Sequence, residues 1–203
     1  MKRQARDWDA GRWTTQPISA QRSGHGLYVE AAKGSDFWEK TLYGFQRSTG
    51  HGLLAPFAEQ SAVEVSFELN GFDSLYDQAG LLLWSSRSQW IKAGIEVNDG
   101  VPCLGAVVTD GYSDWSLCPV PSWRERIVTI RASRTQDAVI IRATAGGEPW
   151  RTFRVARFAP PDGAEAGPFL CSPERAGFAV RFVSWFESEP DAELHWLPPL
   201  PST

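Results

Sequence analysis

Residues 90–100 read WIKAGIEVNDG, and this stretch decides the fold class. Apolar residues at every second position predict a β-strand, because successive side chains of a strand point to opposite faces. Asn98-Asp99-Gly100 then supplies the positive φ angles of a tight hairpin turn. The inward set is Ile91, Ala93, Ile95 and Val97, and the outward set is Trp90, Lys92, Gly94 and Glu96.

The same alternation recurs along the chain, interrupted every 8 to 12 residues by turn-forming residues, and helical periodicity is not sustained in any long stretch. This pattern is typical of antiparallel sandwiches and barrels. Eleven strands are predicted, at 25–31, 53–58, 62–70, 78–85, 89–97, 103–109, 114–118, 126–132, 138–145, 150–158 and 177–187. They predict an all-β protein with little helix, built as a two-sheet antiparallel jelly-roll sandwich.

A chain of 203 residues with 42% hydrophobic residues has enough apolar mass for one large sandwich domain. We expect one domain over residues 1–187. Residues 188–203 are acidic and proline-rich, so they are predicted to form a tail that lies on the surface or is disordered, with Trp196 as its anchor.

Charge and hydropathy limit the choice of partners. The net charge is −4 and the charges are evenly spread, whereas nucleic-acid binding needs a concentrated basic face. The basic N-terminal stretch is not followed by the apolar core of a signal peptide, and apolar runs of about 20 residues are missing. We therefore expect a cytoplasmic protein with neither a nucleic-acid nor a membrane partner.

Metal and cofactor motifs are also missing from the sequence. Nucleotide-binding glycine loops and nucleophile elbows are not found, and the three histidines are far apart. The three cysteines lack the spacing of a zinc site, and the simplest interpretation is that all three are buried small hydrophobic residues. No cofactor and no metal are expected.

The outward face of the strand at 89–97 is the best candidate for a site. An aromatic ring beside hydrogen-bonding charges suits a sugar, which offers an apolar C–H face and several hydroxyls. Gly94 would let a ligand approach the backbone. The alternative is that Trp90 packs under a loop and Lys92 pairs with Glu96 or Glu64 on a solvated sheet face.

Five motifs, in order along the chain, resemble a domain-of-unknown-function family of the regulation-of-enolase type. They are SDFWEKTLYGF (35–45), LYDQAGLLL (75–83), WIKAGIEVNDG (90–100), AVVTDGYSDWS (106–116) and CSPERAGFAVRF (171–182). The resemblance covers residues 8–187 and implies a fold of the concanavalin-A-like lectin and glucanase group, with a concave face. Because fold alone does not fix function, the resemblance implies almost nothing about chemistry.

Taken with the motifs, the preferred interpretation is a non-catalytic protein that binds a small polar ligand, a saccharide or sugar phosphate, on the concave face. The ligand-binding residues predicted on this basis are Trp38, Lys40, Gln78, Trp90, Lys92 and Glu96. Recurrent aspartates of the motifs, among them Asp36, Asp77 and Asp114, have the alternative role of bonding turn N–H groups.

Two alternatives remain open. The same face could meet a protein partner such as a metabolic enzyme, which would require a contiguous exposed apolar patch. A glycoside hydrolase is the other alternative, since related glucanases carry paired acids on one strand. Glu64 and Glu68 offer such a pair, with Glu96 as a further acid, but Ser66 stands where the glucanase pattern has aspartate.

Overall fold

A computed structural model describes residues 3–160, 163–195 and 197–201. Seventeen strands and two short 3-10 turns account for its regular structure. The strands are β1 Gln4–Ala5, β2 Arg12–Trp13, β3 Ser19–Ser23, β4 Gly26–Glu30, β5 Phe37–Glu39, β6 Gln46–Ser48, β7 His51–Pro56, β8 Ser61–Glu68, β9 Gln78–Ser86, β10 Gln89–Asn98, β11 Val101–Asp110, β12 Ser113–Pro119, β13 Ile127–Thr135, β14 Ala138–Ala145, β15 Arg151–Arg157, β16 Glu165–Cys171 and β17 Ala179–Ser188. The 3-10 turns are Trp8–Ala10 and Pro121–Trp123.

The strands form two large antiparallel sheets. The eight-stranded sheet runs β15-β14-β13-β8-β17-β4-β3, with β1 also paired to β17. The seven-stranded sheet runs β12-β11-β10-β9-β16-β7-β2, and β5 pairs with β6 as a separate hairpin. The predicted two-sheet antiparallel sandwich is therefore confirmed.

The main hydrophobic core lies between the two sheets, where the alternation predicted it. Val65 and Phe67 of β8 pack there against Ile95 and Leu81 of the opposite sheet's strands. β9 is buried on both faces, because Leu82, on the other side from Leu81, belongs to a second apolar cluster. This second cluster covers the outer face of the seven-stranded sheet, and it locates the candidate site.

All eleven predicted strands overlap observed ones, but six strands were missed. Five of them, β1, β2, β3, β5 and β6, are only two to five residues long. The sixth, β16, contains Gly167 and Pro168, which argue against a strand in sequence. A Cβ atom on Gly167 would lie 2.0 Å from the carbonyl oxygen of Leu53, so glycine allows β16 to pack closely beside β7.

The segment after β17 packs on the outer face of the eight-stranded sheet. Asp191 is buried there, and its carboxylate forms ion pairs with Arg131 and Arg142. The indole N–H of Trp150 donates to the carbonyl of Pro199, 3.2 Å away. Residues of the predicted tail thus contact the sheet both at Asp191 and at Pro199, while the proposed anchor Trp196 lies outside the described residues.

Helices long and apolar enough to cross a membrane do not occur among the described residues.

Candidate functional site

The β5–β6 hairpin lies over the outer face of the seven-stranded sheet. Phe37 of β5 is fully buried, with its ring centroid 5.8 Å from those of Trp84 and Trp90 and 6.5 Å from that of Phe169. The covered face is apolar around these rings, so hydrophobic burial holds the hairpin in place. The hairpin forms one wall of a cavity that is also lined by residues of β9, β10 and β12.

A buried ion pair connects this hairpin to the floor of the cavity. Lys92 Nζ lies 3.1 Å from Oδ1 of Asp36 and donates to Oε1 of Gln78 at 2.7 Å. Burial alone would lower the pKa of Lys92, but the negative charges of Asp36 and Glu96 outweigh burial and raise it. Lys92 is therefore a fixed cation at the bottom of the cavity.

Glu96 lies on the same face of β10, four residues further along. Its side chain is nearly buried, with 9% of the residue exposed. Burial raises the pKa of Glu96 to about 7; the charge of Lys92 opposes that rise and the charge of Asp36 adds to it. Glu96 can accordingly hold or release a proton near neutral pH.

Three glycines lie side by side across strands β9, β10 and β11. Gly80 on β9 and Gly105 on β11 are both directly opposite Gly94 on β10. A Cβ atom on Gly94 would lie 2.2 Å from the carbonyl oxygen of Ala79 and 2.8 Å from Cα of Gly80. Glycine therefore allows close packing of these strands, and the side chain of Leu117 lies 2.5 Å from the position of a Cβ atom on Gly105.

Aromatic rings form the walls. Trp38 meets Trp115 at 90° with ring centroids 6.3 Å apart, and it meets the ring of Tyr43 at 5.8 Å. We call the enclosed space the hairpin cavity; its volume is about 180 Å³. Its lining residues are Asp36, Trp38, Tyr43, Phe45, Arg47, Tyr76, Gln78, Lys92, Glu96, Trp115, Pro173 and Glu174.

Four of the six predicted ligand-binding residues line the hairpin cavity, and two do not. Trp38, Gln78, Lys92 and Glu96 come together there. Trp90 is only 1% exposed and packs beneath the hairpin, so its predicted role as a stacking surface is wrong and the alternative that it packs under a loop is correct. Lys40 lies outside the lining, with Nζ 5.1 Å from the ring centroid of Tyr112.

The predicted acid pairs for hydrolysis do not meet at this site. Glu64 and Glu68 lie on β8 of the other sheet, so a pairing of either with Glu96 is wrong. Glu64 forms an ion pair with Arg131 at 2.6 Å, and Glu68 forms one with Arg181 at 2.6 Å. Glu64 and Glu68 are thus paired with different arginines and do not form a catalytic pair with each other.

Sequence reasoning missed most of the cavity walls. Tyr43, Phe45 and Arg47 come from the hairpin turn and β6, and Pro173 and Glu174 follow β16. All of these except Arg47, and also Asp36, Tyr76 and Trp115, stand within the quoted motifs but were not chosen as ligand-binding residues. Their position in those motifs is the sequence feature that could have identified them.

The three recurrent aspartates have different partners. Asp77 accepts from the backbone N–H groups of Asp73 and Ser74, as expected for a corner residue, and it also pairs with Arg175. Asp36 accepts from the N–H of Phe37 at 2.8 Å as well as from Lys92. Asp114 pairs instead with Arg154 at 3.1 Å.

The cysteines do not all match their predicted burial. Cys103 and Cys171 are buried, but Cys118 is exposed on edge strand β12, so its predicted burial is wrong. Across the described part of the chain, three or more metal-binding side chains do not gather in one place.

Comparison with known proteins identifies relatives over nearly the whole chain. A Saccharomyces cerevisiae protein named "Regulation of enolase protein 1" is 33% identical over 180 residues, which are 89% of this chain and 90% of the relative. A crystal structure of a functionally unknown Saccharomyces cerevisiae protein aligns with a TM-score of 0.83 and 31% identity, over 91% of this chain and 99% of that one.

More distant structures share the fold alone. A xylan β-1,4-xylosidase from Bacillus halodurans aligns with a TM-score of 0.67 at 15% identity, over 91% of this chain but only 38% of the enzyme. Residues 13–190 match the family described as "Protein of unknown function (DUF1349)". A match of this length, together with the yeast relative, shows that the chain belongs to the DUF1349 family.

Proposed function

We propose that this protein is a non-catalytic β-sandwich that binds a saccharide in the hairpin cavity. The observation that carries the proposal is the combination of perpendicular aromatic walls with a polar floor of Lys92, Gln78 and Glu96. The C–H face of a sugar ring packs against aromatic rings, and its hydroxyls need donors and acceptors close by. The hairpin cavity offers both within one small space.

The size of the cavity favours a single small ring. Its volume of about 180 Å³ lies below the ~300 to 1,000 Å³ typical of pockets for drug-sized ligands. A monosaccharide, or the terminal unit of a longer saccharide, suits these dimensions.

The state of the acids supports binding without hydrolysis. Glycosidases of the usual type use two carboxyl groups in complementary protonation states. Asp36 accepts from Lys92, from the N–H of Phe37 and from Gln78, in each case through Oδ1. Because this ion pair with Lys92 attaches the hairpin to the sheet, we assign Asp36 a structural role and not that of a catalytic partner of Glu96.

Calorimetric titration of the protein with mono- and oligosaccharides tests the proposal. Tyr43→Ala and Trp115→Ala should each weaken binding at least about tenfold, equivalent to ~1.4 kcal/mol. Tyr28→Ala is the matched control, because Tyr28 is 46% exposed, close to the 50% of Tyr43, but lies on the other sheet. Equal affinities in all three variants, or no heat from any saccharide, would refute saccharide binding in this cavity.

A second function is favoured by the apolar residues around the cavity mouth. Leu42 and Leu75 are well exposed, and each is adjacent in sequence to a residue of the cavity lining, Tyr43 or Tyr76. The name of the yeast relative refers to enolase, so the candidate partner is an enolase. Purified enolase should bind immobilised wild-type protein but not Leu42→Glu; equal binding of the two, or binding to neither, would reject this second function.

The exposed thiol of Cys118 supports an intracellular setting for either function. Free surface thiols persist in reducing compartments and tend to oxidise outside them.

A further inference from the structure

The carboxylate of Glu96 has no hydrogen-bonding partner among the residues that the structure describes. The neighbouring groups are occupied: the Gln78 amide nitrogen faces Asp36 and the carbonyl of Tyr76, and its oxygen accepts from Lys92. The oxygens of Glu96 are not among the fully buried polar atoms that lack a partner, so they are open to the hairpin cavity. A ligand in the cavity can therefore donate a charge-assisted hydrogen bond to Glu96.

Charge in the hairpin cavity is unbalanced towards the negative. When Glu96 is ionised, three carboxylates line it, those of Asp36, Glu96 and Glu174, against the two cations Lys92 and Arg47. Lys92 is already paired with Asp36, and the guanidinium of Arg47 lies over the ring of Phe45 at 4.5 Å. A phosphate would add negative charge here, whereas an ammonium group would bring the missing countercharge.

The aromatic walls are equally suited to a cation. Faces of Trp and Tyr rings attract ammonium groups through their quadrupole, most strongly where water is excluded. Trp38, Tyr43 and Trp115 surround the cavity at steep mutual angles. They therefore favour a ligand that combines an apolar ring face with a positive charge.

We propose that the hairpin cavity binds an amino sugar, whose ammonium group donates to the Glu96 carboxylate. Lys92 has three N–H donors, of which Asp36 and Gln78 take two. The third donates to a ligand hydroxyl. Glu96 therefore recognises the amine of the sugar ring, and Lys92 recognises one of its hydroxyls. This inference rests on the proposed saccharide function and narrows its ligand class, excluding sugar phosphates.

Calorimetric titration at pH 7 with glucosamine, glucose, N-acetylglucosamine and glucose 6-phosphate tests the inference. Glucosamine should bind at least about tenfold more tightly than the other three, since each of them lacks the ammonium group. Glu96→Gln should reduce the preference for glucosamine over glucose to less than about twofold. Glu59→Gln is the matched control, because Glu59 is an exposed acid that does not line the hairpin cavity, and this variant should retain the full preference.

The possible outcomes distinguish a failure of the amino-sugar inference from a failure of the proposed saccharide binding. Glucose binding as tightly as glucosamine, with loss of both in Trp115→Ala, would overturn the amino-sugar inference and leave saccharide binding intact. Choline binding as tightly as glucosamine would overturn both, because the sugar ring would then contribute nothing. A glucosamine preference that survives in a folded Glu96→Gln variant would overturn the assigned role of Glu96.

Discussion

Lys92 and Asp36 join the β5–β6 hairpin to the sheet beneath it through a buried ion pair of 3.1 Å. The two residues are 56 positions apart in sequence, and the pair brings a charged group from each onto the cavity floor. Because both are largely withdrawn from water, neither can lose its partner without leaving an uncompensated charge. The site and the attachment of the hairpin therefore depend on the same contact.

Lys92→Met should destabilise the protein by about 3 kcal/mol, the lower end of the ~3 to 5 kcal/mol for breaking a buried pair. Methionine preserves the apolar part of the lysine side chain but removes the ammonium group. Asp36 then accepts hydrogen bonds only from the N–H of Phe37 and the side-chain amide of Gln78. Urea unfolding gives the change in free energy. Lys40→Met is the matched control, since Lys40 is exposed on the same hairpin and should change stability by less than about 0.5 kcal/mol. Equal effects would show that the ion pair contributes nothing.

Trp90→Ala should cost about 3 to 5 kcal/mol of stability, because truncation of a buried aromatic leaves a large cavity. Trp115→Ala should cost far less, since Trp115 is 36% exposed on an edge strand. Thermal unfolding of the two variants distinguishes them, with Trp90→Ala melting many degrees lower. If the two variants melt alike, Trp90 does not support the hairpin as described.

The contrast between Trp90 and Trp115 shows which features of the site can be predicted from the sequence. Alternation along β10 correctly predicted that Trp90, Lys92 and Glu96 share a face, because strand parity is a local property. What covers that face was not predictable, since the hairpin comes from residues 35–48 and contains the positive φ angles of Lys40 and Leu42. Burial of Trp90 follows only from this distant cover.

The glycine row illustrates the same limit. Gly80, Gly94 and Gly105 are unremarkable singly, and only the register of three strands places them next to one another. Gly94 was identified as a point of close approach from its place on the polar face. Its two neighbours required the pairing pattern, which depends on turn geometry and core packing together.

The segment after β17 provides a further test of the fold. Asp191→Ala should destabilise the protein by about 3 to 5 kcal/mol, because it removes the carboxylate that faces both Arg131 and Arg142 in a buried setting. Chemical denaturation measures the loss. Glu193→Ala, two residues away and exposed, should be nearly neutral. A neutral Asp191→Ala variant would mean that this segment behaves as the surface tail expected from its composition.

Stability should fall as pH rises through the range in which Glu96 ionises. Below pH 4.5 the acid is protonated in both states, so it makes no difference to folding. Between pH 4.5 and about 7 the unfolded chain releases this proton while the folded protein retains it, and stability is lost with rising pH. A pKa raised from 4.5 to about 7 corresponds to a loss of at most roughly 3 kcal/mol.

The difference in unfolding free energy between wild type and Glu96→Gln isolates this effect from other titrating groups. Relative to wild type, the variant should become more stable as pH increases from 4.5 to 7.5, because glutamine has no charge to bury. Glu174→Gln should show no such trend, since Glu174 is exposed. A difference that stays constant across this range would place the pKa of Glu96 near its ordinary value, and the carboxylate would then be solvated instead of held for a ligand.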